Sequence, residues 1–231
     1  MHPFKPVDEE GRNQHSPAVT ERGQRTRRAI MNAALDFMGT GKNFNSLSIR
    51  EITKQVGIVP TAFYRHFKST DELGLAIVED CGQSLRIQLR RIRQNSLSST
   101  QIISDSFLVF RNYVEEQPKY FLVASGERHG GSPLMREAIR NEIDRFVEEM
   151  AQDIHTLKLT PHLSLRTLRN VCDLVINVML SAASEILDWP KNNEQLNKKR
   201  TDAYVQQLRI IFLGANAWQE SGAQSDQRVA K

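Results

Sequence analysis

Thr61, Tyr64, Arg65 and Lys68 lie three, one and three residues apart, a spacing that puts two hydroxyls and two cations on one side of a helix. Phosphate oxygens accept from Arg, Lys, Ser and Tyr donors, and base edges take bidentate or methyl contacts, so the chemistry offered is nucleic-acid recognition. An enzyme site would need a carboxylate or thiol here, and neither is present. Elsewhere no GxSxG occurs, and Cys172 falls among apolar neighbours in a helical stretch. The nucleophile, base and orienter of an acyl-thioester hydrolase are therefore not expected, and no catalytic residue is assigned. His2, His15, His129, His155 and His162 show no HxxxH or HExxH spacing with a carboxylate partner, so no metal site and no cofactor is expected.

The elements that must position this set can be read around it. Pro60 suits the first position of a very short helix, which ends near Phe67. Phe63 and Phe67, at i and i+4, point inward with Ile58 and leave the hydroxyls and cations outside. The preceding helix opens at Ser48 with Glu51 three residues on, a capping box, buries Ile49, Ile52 and Val56, and stops at Gly57. Two short helices joined by a glycine turn suit a helix-turn-helix whose second helix enters the major groove. A helix from about Gln24 to Thr40 turns Ile30, Ala33, Ala34, Phe37 and Met38 inward and carries Arg25, Arg27 and Arg28 opposite. The DNA-contacting set expected from these faces is Arg27, Arg28, Ser48, Arg50, Pro60, Thr61, Ala62, Tyr64, Arg65, His66 and Lys68.

Charge supports the assignment. Residues 1–68 carry 11 Lys and Arg against 6 Asp and Glu, whereas residues 69–231 carry 20 against 21, so the whole net charge of +4 arises in the first third. Cys81 and Cys172 form no CxxC pair and suggest neither a disulfide framework nor a zinc knuckle. No signal-peptide pattern is visible at the start, and the longest apolar region, Val171 to Leu187, is interrupted by Asp173, Asn177 and Glu185. A cytoplasmic protein without a membrane span is expected.

From Thr20 onward nearly every segment has helical periodicity, so the fold is expected to be all-α. Residues 1–20 read as a disordered arm, 21–68 as a three-helix DNA-binding domain, 69–218 as a helical effector-binding and dimerisation domain, and 219–231 as a disordered tail. A second capping box, Ser69 with Glu72, opens a helix reaching about Asn95, long enough to join the domains. Further helices are expected at Thr100–Glu116, Pro118 to about Gly126, Leu134–Leu157, Leu165–Leu187 and Leu196–Trp218. Phe107, Phe110, Phe121, Phe146 and Met150 are the apolar groups that could surround an aliphatic ligand, although each also suits an ordinary core. Glu127, Arg128 and His129 follow the apolar Phe121–Val123 as a charged cluster. They read either as a solvated loop or, through Arg128 and Glu127, as an effector headgroup site or relay. Excess apolar surface is expected on the last two helices, from Leu168, Val171, Val175, Met179, Ala183 and Leu187 and from Tyr204, Leu208, Ile211, Ala215 and Trp218. A partner copy would cover it.

Ser48-Ile49-Arg50-Glu51-Ile52 followed by Gly57-Ile58-Val59-Pro60-Thr61-Ala62-Phe63-Tyr64-Arg65-His66-Phe67 resembles the TetR-family DNA-binding domain, with the likeness covering about residues 22–75. Within that family the chain is most similar to the FabR and DesT repressors of unsaturated fatty acid synthesis. That likeness rests on the same passages, on Asp71 to Leu75, on Gly126-Glu127-Arg128 and on Arg140-Asn141-Glu142-Ile143. It implies a homodimer on a pseudo-palindromic operator and a long-chain acyl-CoA or acyl-carrier-protein thioester as effector. A TetR-type sensor of a drug or other hydrophobic molecule shares the DNA domain. The family often has Lys at the start of the helix after the reading head; here that position is Thr70, and Lys68 stands nearby.

Overall fold

The computed structural model describes residues 17–95 and 98–219; most of the expected arm, residues 1–16, and of the expected tail, residues 220–231, lie outside them. Among the described residues all regular elements are helical. They run α1 (Pro17–Gly39), a 3-10 turn (Phe44–Ser46), α2 (Ile49–Val56), α3 (Pro60–Phe63), α4 (Thr70–Asn95), α5 (Ser99–Glu116), α6 (Pro118–Gly130), α7 (Pro133–Thr156), α8 (Leu165–Ile186) and α9 (Glu194–Ala217).

Local chemistry accounts for most of the boundaries. Gly57 ends α2 in the left-handed region, φ 75°, where a side chain would be strained. Ser98, Ser132, Ser164 and Asn193 cap α5, α7, α8 and α9 by accepting a backbone N–H from the first turn. The two expected capping boxes form by halves. Ser48 is the N-cap of α2 but makes no side-chain cap bond. At α4, Ser69 Oγ accepts from Glu72 N–H at 3.2 Å, while Glu72 reaches back one residue further, to Lys68 N–H at 2.6 Å.

Three boundaries correct the sequence reading. α3 ends at Phe63, not near Phe67, and residues 64–66 form a turn. α1 starts at Pro17, not near Gln24, so residues 17–20 of the expected arm are helical. Proline is tolerated in a first turn, and Glu21 pairs with Arg25 one turn on. α6 runs past Gly126 to Gly130, so Glu127, Arg128 and His129 are helical rather than in a loop.

The interior divides into three connected groups. One, around Ile30, Ala34, Ile52, Phe63 and Phe67 of the first three helices, also takes in Leu73 and Ile77 of α4, Val123 of α6 and Met135 of α7. A second joins α4, α5, α6, α8 and α9 around Phe107, Phe110, Phe121 and Tyr204. The third fills the end where α7, α8 and α9 meet, around Ile154, Leu168 and Ala215.

Along the C-terminal half of α4, arginines face acids of α7. Arg86 pairs with Glu142 and, at 3.2 Å, with Glu149, while Arg90 and Arg93 bind opposite oxygens of Asp153 at 3.1 and 2.8 Å. Arg93 and Asp153 are both buried. Breaking such a pair leaves an uncompensated buried charge. Asp153→Ala is therefore expected to lower the unfolding free energy by about 3–5 kcal/mol in urea titrations at fixed protein concentration. A loss below about 1 kcal/mol would place the two arginines with exposed ion pairs instead.

Candidate functional site

Burial of Phe63 and Phe67 orients the reading head. Both rings are fully inside, 5.8 Å apart, and carry α3 and its following turn against α1. Pro60, Thr61, Tyr64, Arg65 and Lys68 consequently face solvent, with Ala62 and His66 half-buried. Tyr64 stands edge-on to Phe63 at 5.6 Å, which steadies an exposed aromatic. From α2, Arg50 projects outward in the first turn, and Ser48 is half-buried. Arg28 of α1 is exposed as well. The outward set thus offers cations and hydroxyls on one surface, as groove and phosphate contacts require.

Arg27 differs from its neighbours. Its Nη1 donates to the His66 carbonyl at 2.8 Å, and its guanidinium lies 4.1 Å over the Phe67 ring. It thereby fastens α1 to the end of the reading turn and has less of its charge to offer DNA. His66 is held below the ordinary histidine range by burial first, then by the charges of Arg27 and Arg65. A neutral ring there can donate only one hydrogen bond to a phosphate. Lys42, a cation close to α2, is taken by Glu51 at 2.6 Å. Lys54 in the last turn of α2 is exposed and adds a cation that the sequence reading left out.

The second candidate region is a cavity of about 370 Å³ between α4, α6, α7 and α8. Phe110, Phe121, Phe146 and Arg128 line it, as expected for a ligand site. Phe107 and Met150 do not. Phe107 is fully buried and stacks on Tyr204 at 5.5 Å, so it is core, and Met150 packs where the second and third apolar groups meet. Missing from the expected set were Ile77, Cys81 and Leu85 of α4, Ile139 and Ile143 of α7, and Met179 of α8. Aliphatic residues at core spacing give no sign of whether the space between them stays open. Cys81 is an inert part of this wall, its thiol pushed up to about 12 by burial. Asn177, Ser181 and Ser184, the polar stripe of α8, form one edge of the cavity, and the exposed Ser125 and His129 mark another part of its rim.

Glu127 stands one residue from Arg128 but turns the other way. It is buried; Oε1 accepts Phe44 N–H at 3.1 Å and Oε2 accepts Ser132 N–H at 3.2 Å. The reading of this residue as part of a solvated loop is therefore wrong. Two backbone donors satisfy the carboxylate and fix it inside the protein.

Residues 30–77 match the family model for bacterial regulatory proteins, tetR family. The reading head is a TetR-family DNA-binding domain. Solved structures extend the likeness in fold to the rest of the chain. A protein assigned as a transcriptional regulator from Pseudomonas aeruginosa PAO1 superposes with a TM-score of 0.67 at 14% identity, over 89% of this chain and 97% of that one. A protein assigned as a fatty acid metabolism regulator from Clostridium perfringens gives 0.59 at 17% identity over 83% and 100%. The fatty acid degradation regulator FadR from Bacillus halodurans gives 0.63 at 11% identity over 90% and 100%. The chain thus carries a tetR-type DNA-binding segment at residues 30–77 and shares its overall fold with proteins described as transcriptional regulators. Among its described residues no helix is long and apolar enough to cross a membrane, and no group of three or more His, Cys, Asp or Glu could hold a metal.

The two arginines separate reading from scaffolding. On an operator recovered by selection from random DNA, Arg50→Ala is expected to weaken specific binding by about 1–3 kcal/mol, as for a bidentate guanine contact, with the fold unchanged. Arg27→Ala is expected instead to lower the melting temperature and to weaken all sequences alike. Unchanged affinity and specificity in the Arg50 variant would remove it from the contact set.

Proposed function

We propose that this TetR-family regulator is a homodimeric repressor controlling fatty acid synthesis genes, those for unsaturated fatty acids in particular, in response to long-chain acyl thioesters. The observation that carries this reading is the cavity. Its wall is mostly aliphatic and aromatic, and Arg128 and His129 supply cationic or donor groups beside the exposed rim. Such a space suits an amphiphile with an apolar chain inside and an anionic head at the edge, and its volume lies within the usual range for ligand pockets. The Clostridium and Bacillus proteins of like fold, both regulators of fatty acid metabolism by description, support the same class of effector. A cationic drug would need an unpaired carboxylate in the wall. Glu142 does line the cavity, but it is already bound by Arg86.

The dimer reading rests on exposed apolar groups of α8 and α9. Most of the residues first expected on that surface, including Leu168, Val175, Tyr204 and Leu208, are buried within one chain. The outward ones are Leu174 on α8, 56% exposed, with Ile210, Leu213 and Trp218 at 60%, 67% and 58%. Ile210, Leu213 and Ala217 recur at helical spacing on one side of α9. A two-fold four-helix contact through this side would place two reading heads about 34–36 Å apart, one turn of DNA.

Two outcomes are expected. In gel shifts at fixed salt, oleoyl-CoA or palmitoyl-CoA shifts the midpoint for the selected operator by about five- to 150-fold; a response to neither, with a response to an aromatic cation, would replace this reading with a drug sensor. Ile210→Glu with Leu213→Glu yields a monomer in sedimentation experiments that no longer protects a symmetric footprint. A symmetric footprint by that monomer would show that the contact lies elsewhere.

A further inference from the structure

We infer that Glu127 is a positioning residue that ties the reading head to the wall of the cavity, so that cavity occupancy reaches DNA through α6. The inference rests on the cavity's reading as the effector site.

α6 is buried from two sides. Tyr120 and Val123 pack into the same apolar group as the reading head and also line the cavity, together with Phe121, Ala124 and Arg128. Two polar tethers bind its head-facing side to the DNA-binding domain. At the start of α6, Lys119 pairs with Asp36 of α1, and the other Asp36 oxygen accepts from Gln55 of α2 at 2.9 Å. At its end, Glu127 holds the amide of Phe44. Phe44 cannot absorb a displacement by sliding. Its ring lies against α4 at Gly74, where a Cβ would overlap it, and close to Met135 of α7. The chain then passes through buried Leu47 directly into α2.

The alternative route, a tilt of all of α4, is opposed by the arginines at 86, 90 and 93 that bind its C-terminal half to α7. The last turn of α6 is held instead through Glu127 and through Arg136 of α7, which donates to the Gly131 carbonyl just beyond it. Arg128 and Glu127 are adjacent in that turn, one reaching the cavity and the other the reading head. A ligand head that draws Arg128 moves the Glu127 carboxylate with it. Gly131 supplies the space the carboxylate needs, since a Cβ there would overlap Oε2.

Both Glu127 oxygens accept from N–H groups, so Glu127→Gln must turn its amide NH₂ toward one donor and lose that bond. The full-length protein is compared with this variant in three measurements. Amide exchange at Phe44 or Ser132 is expected to speed up by about tenfold or more. Operator affinity without effector is expected to change by about fivefold or more, and the ratio of affinities with and without oleoyl-CoA to move toward one. Oleoyl-CoA affinity itself stays within about twofold, because Glu127 does not line the cavity. Arg128→Ala is expected to weaken oleoyl-CoA binding. Faster exchange with unaltered operator affinity would overturn the inference and leave Glu127 a local brace. If wild-type protein ignores acyl-CoA, the effector reading falls, while the effector-free operator affinity of the Gln variant still decides the role of Glu127. Glu127→Asp keeps the charge but withdraws the carboxylate, and serves if the Gln variant does not fold; the same changes support the role, and their absence overturns it.

Discussion

A three-helix unit of roughly fifty residues has too little interior to bury the apolar faces it creates. In this chain α1, α2, α3 and the turn after it direct Ile52, Phe63 and Phe67 toward a space that they cannot close alone. Leu73 and Ile77 of α4, Val123 of α6 and Met135 of α7 complete it. The reading head is consequently one end of a continuous interior. Any rearrangement of the helices that finish this core must be felt by the helix presented to DNA, because a close-packed interior transmits displacement rather than absorbing it.

That sharing explains the character of α6. α6 serves both the reading head and the cavity: Val123 and Tyr120 belong to the reading-head core and also line the cavity, where Phe121, Ala124 and Arg128 join them. Its polar residues are correspondingly specialised. Lys119 and Glu127 are spent on intramolecular partners, and Arg128 and His129 are left at the cavity. The ion pairs between α4 and α7 have the opposite effect, holding the far wall still. A rigid wall facing a helix tethered to the reading head is an arrangement in which ligand binding can shift a population without unfolding the domain.

Much of the DNA-binding surface is legible in residue spacing alone. Phe63 and Phe67 at i and i+4 could only be inward, which left Thr61, Tyr64, Arg65 and Lys68 outward, and both placements hold. The ligand region is half legible. Phe110, Phe121, Phe146 and Arg128 line the cavity, but Phe107, equally aromatic and equally spaced, is core. Nothing in a helical period tells which of two buried rings faces packed atoms and which faces open space.

What the sequence by itself determined is the set of properties that act over one or two turns. These are the helical periodicity, the glycine stop at Gly57, the serine caps, the all-helical class and the outward cations of the reading head. What only the tertiary structure decided involves partners far apart in the chain. Arg27, one of the cations of α1, is drawn to the His66 carbonyl and the Phe67 ring. Glu127, read as either solvated or facing an effector, is buried against the amide of Phe44, 83 residues away. The reason is physical. A charged side chain is stable wherever its hydrogen-bonding capacity is met, in water or inside the protein, and only the packing of distant helices determines which of the two it meets.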